Sequence, residues 1–253
     1  MRETWRTAWI TGASSGIGRE LALALAARGV TVAVSARRAE SLAELAALSD
    51  RIRPYPVDVT DRTAVAATVR ALHAALGSLD LVVLNAGVWH SMGARDFSAE
   101  HAGQSMAVNY GGITNALEPL LPLLMAQKRG RVALVASVAG YRGLPRAAAY
   151  APSKAAVIAL AEVLQPDLAR HGVAVSVINP GFVETPMTAV NKFPMPFSIS
   201  AADAAQRIVR GLERGKFEIA FPWQLVTMLK VLRVLPNALF LRIARRMMPG
   251  TST

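Results

Sequence analysis

The chain has 253 residues, of which 53% are apolar and 18% charged, against roughly 45–50% and 25% in an average soluble domain, which excludes a disordered chain and suits one generous α/β domain. It contains no cysteine, so disulfides, zinc–thiolate centres, iron–sulfur clusters and thiol nucleophiles are excluded. Twenty-eight basic residues against 17 acidic leave a charge of +11; that balance suits an anionic membrane or a phosphorylated ligand better than nucleic acid, for which no motif and no basic–aromatic interleaving is present.

In chain order, Met1–Trp5 runs straight into a strand-like segment without a signal peptide, so the chain reads as cytoplasmic. Short apolar runs then alternate with stretches of helical period. Thr7–Thr11, Val30–Ser35, Ile52–Val57, Leu79–Asn85, Arg131–Ser137, Val173–Asn179 and Phe217–Phe221 read as strands. Several are apolar almost throughout, the pattern of strands covered on both faces. Ile17–Arg28, Ala39–Leu48, Arg62–Ala75, Ala99–Gln127, Ala149–Arg170 and Ala201–Arg214 carry helical patterning, with Gly29 and Gly172 where C-terminal caps belong. The alternation predicts βαβ units and right-handed crossovers, hence a doubly wound, Rossmann-like parallel sheet of about seven strands in a single α/β domain. Residues 185–200 form one long irregular insert, kept from being helical by Pro194 and Pro196, and its apolar character suits a substrate lid.

The first strand passes through Gly12-Ala13-Ser14-Ser15-Gly16-Ile17-Gly18 into a helix. Glycines at such a turn let the backbone approach a pyrophosphate, which the helix N-terminus meets with free N–H groups and its positive dipole end. After the second strand stand Ser35-Ala36-Arg37-Arg38. An acidic residue there would accept from a ribose 2′-OH and mark NAD. Ala36 instead leaves room, Arg37 can clamp a 2′-phosphate, and Arg38 can lie over the adenine or on the phosphate. NADP(H) is therefore favoured over NAD(H), and reduction over oxidation; the bland alternative is two solvated arginines.

The spacing Thr11-Gly12-x-x-x-Gly16-x-Gly18 resembles the short-chain dehydrogenase/reductase family, and the resemblance extends over nearly all of residues 1–220. Asp58, in Asp58-Val59-Thr60, matches the family's adenine-contacting aspartate. Asn85-Ala86-Gly87 matches its turn after the fourth strand, although Leu84 replaces a common preceding Asn. Asn109, Ser137, Tyr150 and Lys154 match its catalytic set, and Pro180-Gly181 its nicotinamide-side turn. The resemblance implies cofactor contacts from Gly12, Ser14, Ser15, Gly16, Ile17, Gly18, Asp58, Val59, Asn85, Ala86, Gly87, Tyr150, Lys154, Pro180, Gly181, Val183 and Thr185, beside Arg37 and Arg38. It also implies that Lys154 holds the nicotinamide ribose, that Asn109 supports a water leading from Lys154 to solvent, and that the long helices join a homodimer or homotetramer.

The catalytic set makes chemical sense by itself. Tyr150 and Lys154 are four apart, on one face of a helix, with Pro152 tolerated in the first turn. A phenol has a pKa of about 10, and a nearby ammonium is expected to pull Tyr150 down toward the working range. Ser137, at a strand end, is expected to meet the Tyr150 hydroxyl at a carbonyl oxygen that gains negative charge as hydride arrives. His73, His90, His101 and His171 show no ligand spacing, so no metal is implied. Trp89, His90, Tyr141 and Phe182 suit a substrate wall or plain packing equally. The acidic residues other than Asp58 read as helix surface.

The tail Trp223–Met248 is divided by Pro236 into two helices, the second amphipathic, with Arg242, Arg245 and Arg246 opposite Leu239, Phe240, Ile243 and Met247. It suits a peripheral membrane contact, a cap over the substrate cleft or a subunit interface. It lacks the glycine-rich ending of 3-oxoacyl-carrier-protein reductases and is more similar to reductases of long-chain or lipid ketones, such as 3-ketodihydrosphingosine reductases. The sequence thus predicts an NADPH-dependent reduction of a hydrophobic ketone or aldehyde, with Tyr150 as proton donor. The alternative from another class is a non-catalytic NADP(H)-binding sensor or membrane-associated interaction protein.

Overall fold

A computed structural model describes residues 4–191 and 193–247; Lys192 of the insert and Met248 of the tail lie outside that set. The chain opens with β1 (Thr7–Thr11), α1 (Gly16–Ala26), β2 (Thr31–Ser35), α2 (Ala39–Ala46), β3 (Ile52–Pro54), α3 (Arg62–Leu76) and β4 (Leu81–Leu84). It continues through α4 (Ala99–Met106), α5 (Gly112–Gln127), β5 (Arg131–Val135), α6 (Tyr150–Ala169) and β6 (Ala174–Pro180). Then follow β7 (Val183–Glu184), β8 (Ile199–Ser200), α7 (Ala201–Glu213), β9 (Glu218–Phe221), α8 (Trp223–Val234) and α9 (Asn237–Arg246).

Seven strands form one parallel sheet in the order β3-β2-β1-β4-β5-β6-β9. The chain winds outward from β1 to β3, returns to β4, and winds the other way to β9. The crevice between β1 and β4 is therefore the switch point, where the following loops diverge and a ligand finds room outside the carboxyl ends of the strands. Both faces of the sheet are covered. Trp9 on β1 joins a cluster with Val69 and Leu72 of α3, Leu120 of α5 and Val157 of α6. Its neighbours Ala8 and Ile10 point the other way, to Leu21 and Leu25 of α1 and Ile208 and Leu212 of α7. Period-2 side chains meeting apolar partners on both sides explain why the strands read as unbroken apolar runs.

Three expectations change. Strand β3 stops at Pro54 rather than Val57, because Pro54 and Pro56 have no N–H to give; the chain still tracks β2 through Tyr55 N and Val57 N, which donate to Val34 O and Ala36 O. The single helix expected over Ala99–Gln127 is interrupted by a π-turn at Ala107–Gly111. The wider turn swings Asn109 inward, where it is fully buried and hydrogen-bonded to other segments. The insert is not wholly irregular: Val183–Glu184 pairs in parallel with Ile199–Ser200, so its two ends are stitched together.

Candidate active site

The phosphate loop is held open by packing that only glycine permits. Gly12 has φ +67°, and a Cβ on it would lie 2.7 Å from the Ala86 Cα. A Cβ on Gly18 would lie 2.5 Å from the Gly12 carbonyl oxygen and 2.6 Å from the Asn85 Nδ2. Asn85 and Thr11 lock the two strand ends across the switch point. The Thr11 Oγ1 accepts from the Asn85 and Ala86 N–H groups at 3.0 and 3.1 Å, and Asn85 Nδ2 donates to the carbonyls of Thr11 and Gly12 at 3.0 and 3.1 Å.

The N-terminus of α1 is left uncapped. Asp61, Ser98 and Ser200 cap their helices through side-chain oxygens, whereas Ser15 makes no such bond and the first turn of α1 carries no acid. Its N–H groups and dipole are thus available to an anion. Around this point stand the other expected residues: Ser14, Gly16 and Ile17 on the loop, Arg37 beyond β2, Asp58 beyond β3, Gly87 beyond β4, Pro180 at the end of β6, and Gly181 and Thr185 after it. Thr185 reaches over the loop, since a Cβ on Gly16 would lie 2.9 Å from its Cγ2. Asp58 accepts from the Thr60 N–H and hydroxyl at 2.9 and 2.8 Å. Burial raises its carboxyl, but the Thr60 bonds and the Arg37 charge outweigh that and hold it below the usual carboxylate range.

Not every expected contact is free to reach a ligand through its side chain. Arg38 precedes α2 and donates to the Ser41 hydroxyl at 3.3 Å. Val59 packs into α5 beside Gly112, and Val183 is buried in β7, so these two can offer only backbone.

Ser137, Tyr150 and Lys154 come together at the end of β5. The strand stops at Val135 rather than at Ser137, which caps a 3₁₀ turn over Val138–Gly140 with its Oγ accepting from Ala139 N at 3.1 Å. That turn is pressed onto α6: a Cβ on Gly140 would lie 2.8 Å from the Lys154 carbonyl carbon. The close approach brings Ser137 beside the Tyr150 hydroxyl, whose pKa it lowers, while the Ser137 hydroxyl donates to Pro180 O at 3.3 Å. Lys154 Nζ donates to Val135 O at 2.8 Å and lies 5.6 Å from the centre of the Tyr150 ring. Asn109 ties the set to the β4 loop. Its Oδ1 accepts from Val88 N at 2.7 Å, and its Nδ2 donates to Val88 O at 3.1 Å and to Ser153 Oγ at 2.9 Å; Ser153 in turn donates to Tyr150 O at 2.7 Å.

The electrostatics depart from expectation. Burial pushes the Tyr150 phenol up to about 12, with the Ser137 bond pulling part of the way back. Burial likewise pulls the Lys154 ammonium down to about 7. Desolvation is the largest cause for both groups, so the expected lowering of Tyr150 is not seen.

Two groups of side chains that the sequence left open or assigned elsewhere take definite places. Trp89 belongs to the site: its ring meets that of Tyr150 edge-on at 5.0 Å, and its Nε1 donates to Asn191 Oδ1 of the insert at 2.9 Å. Phe182 similarly meets Phe193 at 6.1 Å. The second group overturns the reading of the acids as helix surface. Glu218, on β9, accepts from Tyr141 at 2.5 Å and from Asn179 Nδ2 at 3.0 Å, and pairs with Lys230 of α8. Tyr141 is consequently buried structure rather than a substrate wall. Only the three-dimensional convergence of a turn, two strands and the tail helix could reveal this, for the residues are far apart in sequence. The rings of His90 and His101 stack at 4.5 Å, and no group of three potential metal ligands occurs among the described residues.

Comparison with known proteins agrees with this fold. A family model described as short chain dehydrogenase matches residues 6–193. An uncharacterized oxidoreductase of Myxococcus xanthus is 43% identical over 96% of this chain and 98% of its own. A 3-oxoacyl-[acyl-carrier-protein] reductase of Thermotoga maritima is 34% identical over 74% of this chain and 78% of its own. Among solved structures, a short chain dehydrogenase of Burkholderia cenocepacia in complex with NADP superposes with a TM-score of 0.84 at 28% identity, over 98% of this chain and 100% of that one.

Proposed function

The chain belongs to the short-chain dehydrogenase family, and on that premise we propose that it is an NADP(H)-dependent oxidoreductase that reduces a hydrophobic ketone or aldehyde to an alcohol. The observation that carries this reading is the meeting of the Ser137 and Tyr150 hydroxyls beside the Lys154 ammonium, at the carboxyl ends of β4 and β5. A sensor without chemistry would have no use for a buried lysine held against a phenol.

The residues around the switch point fit a dinucleotide. The uncapped N-terminus of α1 would hold the pyrophosphate, Asp58 the adenine end, and Arg37 a 2′-phosphate, with Arg38 beside it. Gly87, Pro180 and Gly181 would border the nicotinamide, and Lys154 would hold the ribose next to it. When bound, the cofactor supplies the hydride.

The chain does the rest. Ser137 and Tyr150 donate hydrogen bonds to the substrate oxygen, strongest as that oxygen gains negative charge. Tyr150, pushed up to about 12 by burial, is protonated at neutral pH and so is a proton donor. Lys154, pulled down to about 7, can return a proton to the phenolate, and Asn109 fixes the helix turn that carries both. Trp89, edge-on to Tyr150 and bonded to Asn191, joins the set to the apolar insert, which suits an apolar substrate. The similarity of a carrier-protein-dependent reductase places acyl ketones among the first compounds to try.

The test is NADPH oxidation, followed by absorbance, over ketones and aldehydes of increasing chain length. Turnover is expected with apolar substrates. Tyr150→Phe should keep NADPH binding and lose at least about a hundredfold in rate, the scale of a lost general acid. NADPH binding without turnover on any carbonyl would favour the sensor.

A further inference from the structure

The tail is fixed to the body of the protein yet leaves an apolar face unpartnered. α8 buries Leu225, Leu229 and Leu232, and Leu225 rests on Gly181, the root of the insert. Arg142 clasps the helix pair, donating to Arg233 O at 3.1 Å and to Asn237 Oδ1 at 2.6 Å, with its guanidinium 4.3 Å over the Phe240 ring. The opposite side of α8 carries Trp223, Thr227, Val231 and Val234, which share one side of a 3.6-residue helix. Trp223 is 70% exposed, Val231 54% and Val234 79%. A helix held this firmly has no reason of packing to present tryptophan and valine to water.

Charge identifies what covers that face. After Glu218 the chain has Lys230, Arg233, Arg242, Arg245 and Arg246 and no acid. On α9, Phe240 is buried, while Arg242, Arg245 and Arg246 occupy the exposed side between the exposed Leu239 and Leu241. Leu239 and Met247, read from the sequence as one apolar face with Phe240 and Ile243, are about half exposed, whereas Phe240 is buried. A second copy docking about a two-fold axis would bring this cationic surface against itself. An anionic bilayer answers both features, taking up the apolar side chains at its interface and attracting the arginines.

The geometry points to α8 and α9 as a docking surface for an anionic lipid bilayer, through Trp223, Val231 and Val234 and the arginines of α9. Leu225, on the buried side of the same helix, rests on Gly181, which links this surface to the segment that leads into the insert.

The experiment is flotation of the full-length protein with vesicles of phosphatidylcholine alone, or of phosphatidylcholine containing about a third phosphatidylglycerol. Tryptophan fluorescence is followed in parallel, and neither readout depends on catalysis. The expected result is binding to the anionic vesicles only, reversed by high salt, with a blue shift that Trp223→Phe removes. Arg242→Gln/Arg245→Gln/Arg246→Gln, on exposed side chains, should weaken partitioning by at least about a hundredfold. Trp223→Gln/Val234→Gln should weaken it without changing the monomer–oligomer distribution. Equal behaviour toward both vesicles, an unaffected arginine variant, or a change of oligomeric mass in the Trp223/Val234 variant would overturn the proposal; the last would assign the face to contacts between copies of the chain.

Discussion

Replacing Lys154 by methionine should make the protein more stable while destroying its activity. Lys154 is 3% exposed, and burial takes its ammonium from 10.5 down to about 7. At 1.36 kcal/mol for each pH unit, that drop corresponds to about 5 kcal/mol of destabilisation when both folded and unfolded chains carry the charge. Methionine fills much the same volume without the charge. It leaves the Val135 carbonyl, now 2.8 Å from Nζ, without this donor, at a cost of about 1–3 kcal/mol. The net expectation below pH 7 is a gain of about 2–4 kcal/mol, or several degrees in Tm.

The sign follows from proton counting. Below about pH 7 the lysine is protonated in both states and the burial cost is complete. Between about 7 and 10.5 the unfolded chain holds a proton that the folded chain has released, so the unmodified protein gains stability as pH rises. Above about 10.5 both states are neutral and the charge cost is gone. The advantage of Lys154→Met should therefore shrink through this window and reverse at its upper end. Urea unfolding of the cofactor-free proteins at about pH 6, 8 and 10 measures it, beside turnover with an active ketone. A stability difference that does not vary with pH, or a variant less stable at pH 6, would refute the reasoning.

Arg37→Ala should remove most of a preference of about tenfold or more for NADPH over NADH, the worth of one charged contact, and leave NADH affinity nearly unchanged; calorimetric titration of both cofactors decides it. Gly18→Ala drives a methyl to 2.5 Å from the Gly12 carbonyl oxygen, so it should lower stability by about 1–3 kcal/mol and weaken cofactor binding more than turnover at saturation. Trp89→Ala removes both the edge contact to Tyr150 and the bond to Asn191; KM for apolar ketones should rise by about tenfold or more while NADPH affinity holds. An unchanged KM would make Trp89 a packing residue only.

Much of this protein is legible in its sequence because the controlling interactions are local or periodic. Apolar runs separated by amphipathic stretches point to a parallel sheet with helices on both faces, since strands apolar on both sides must be covered twice; the winding in both directions is decided by the tertiary structure. The glycines of the phosphate loop and the four-residue step from Tyr150 to Lys154 mark the site on either side of the sheet's crossing point, for backbone conformation and helix geometry act over a few residues. What the sequence could not decide rests on contacts between distant segments. The inward turn at Asn109 needs Val88 and Ser153 as partners, the 3₁₀ turn that brings Ser137 to Tyr150 depends on Gly140 lying against α6, and Glu218 is a strand-end acid until Tyr141, Asn179 and Lys230 surround it. The Tyr150 and Lys154 protonation states are likewise settled by burial, because desolvation depends on everything packed around a group rather than on the neighbours its helix spacing supplies.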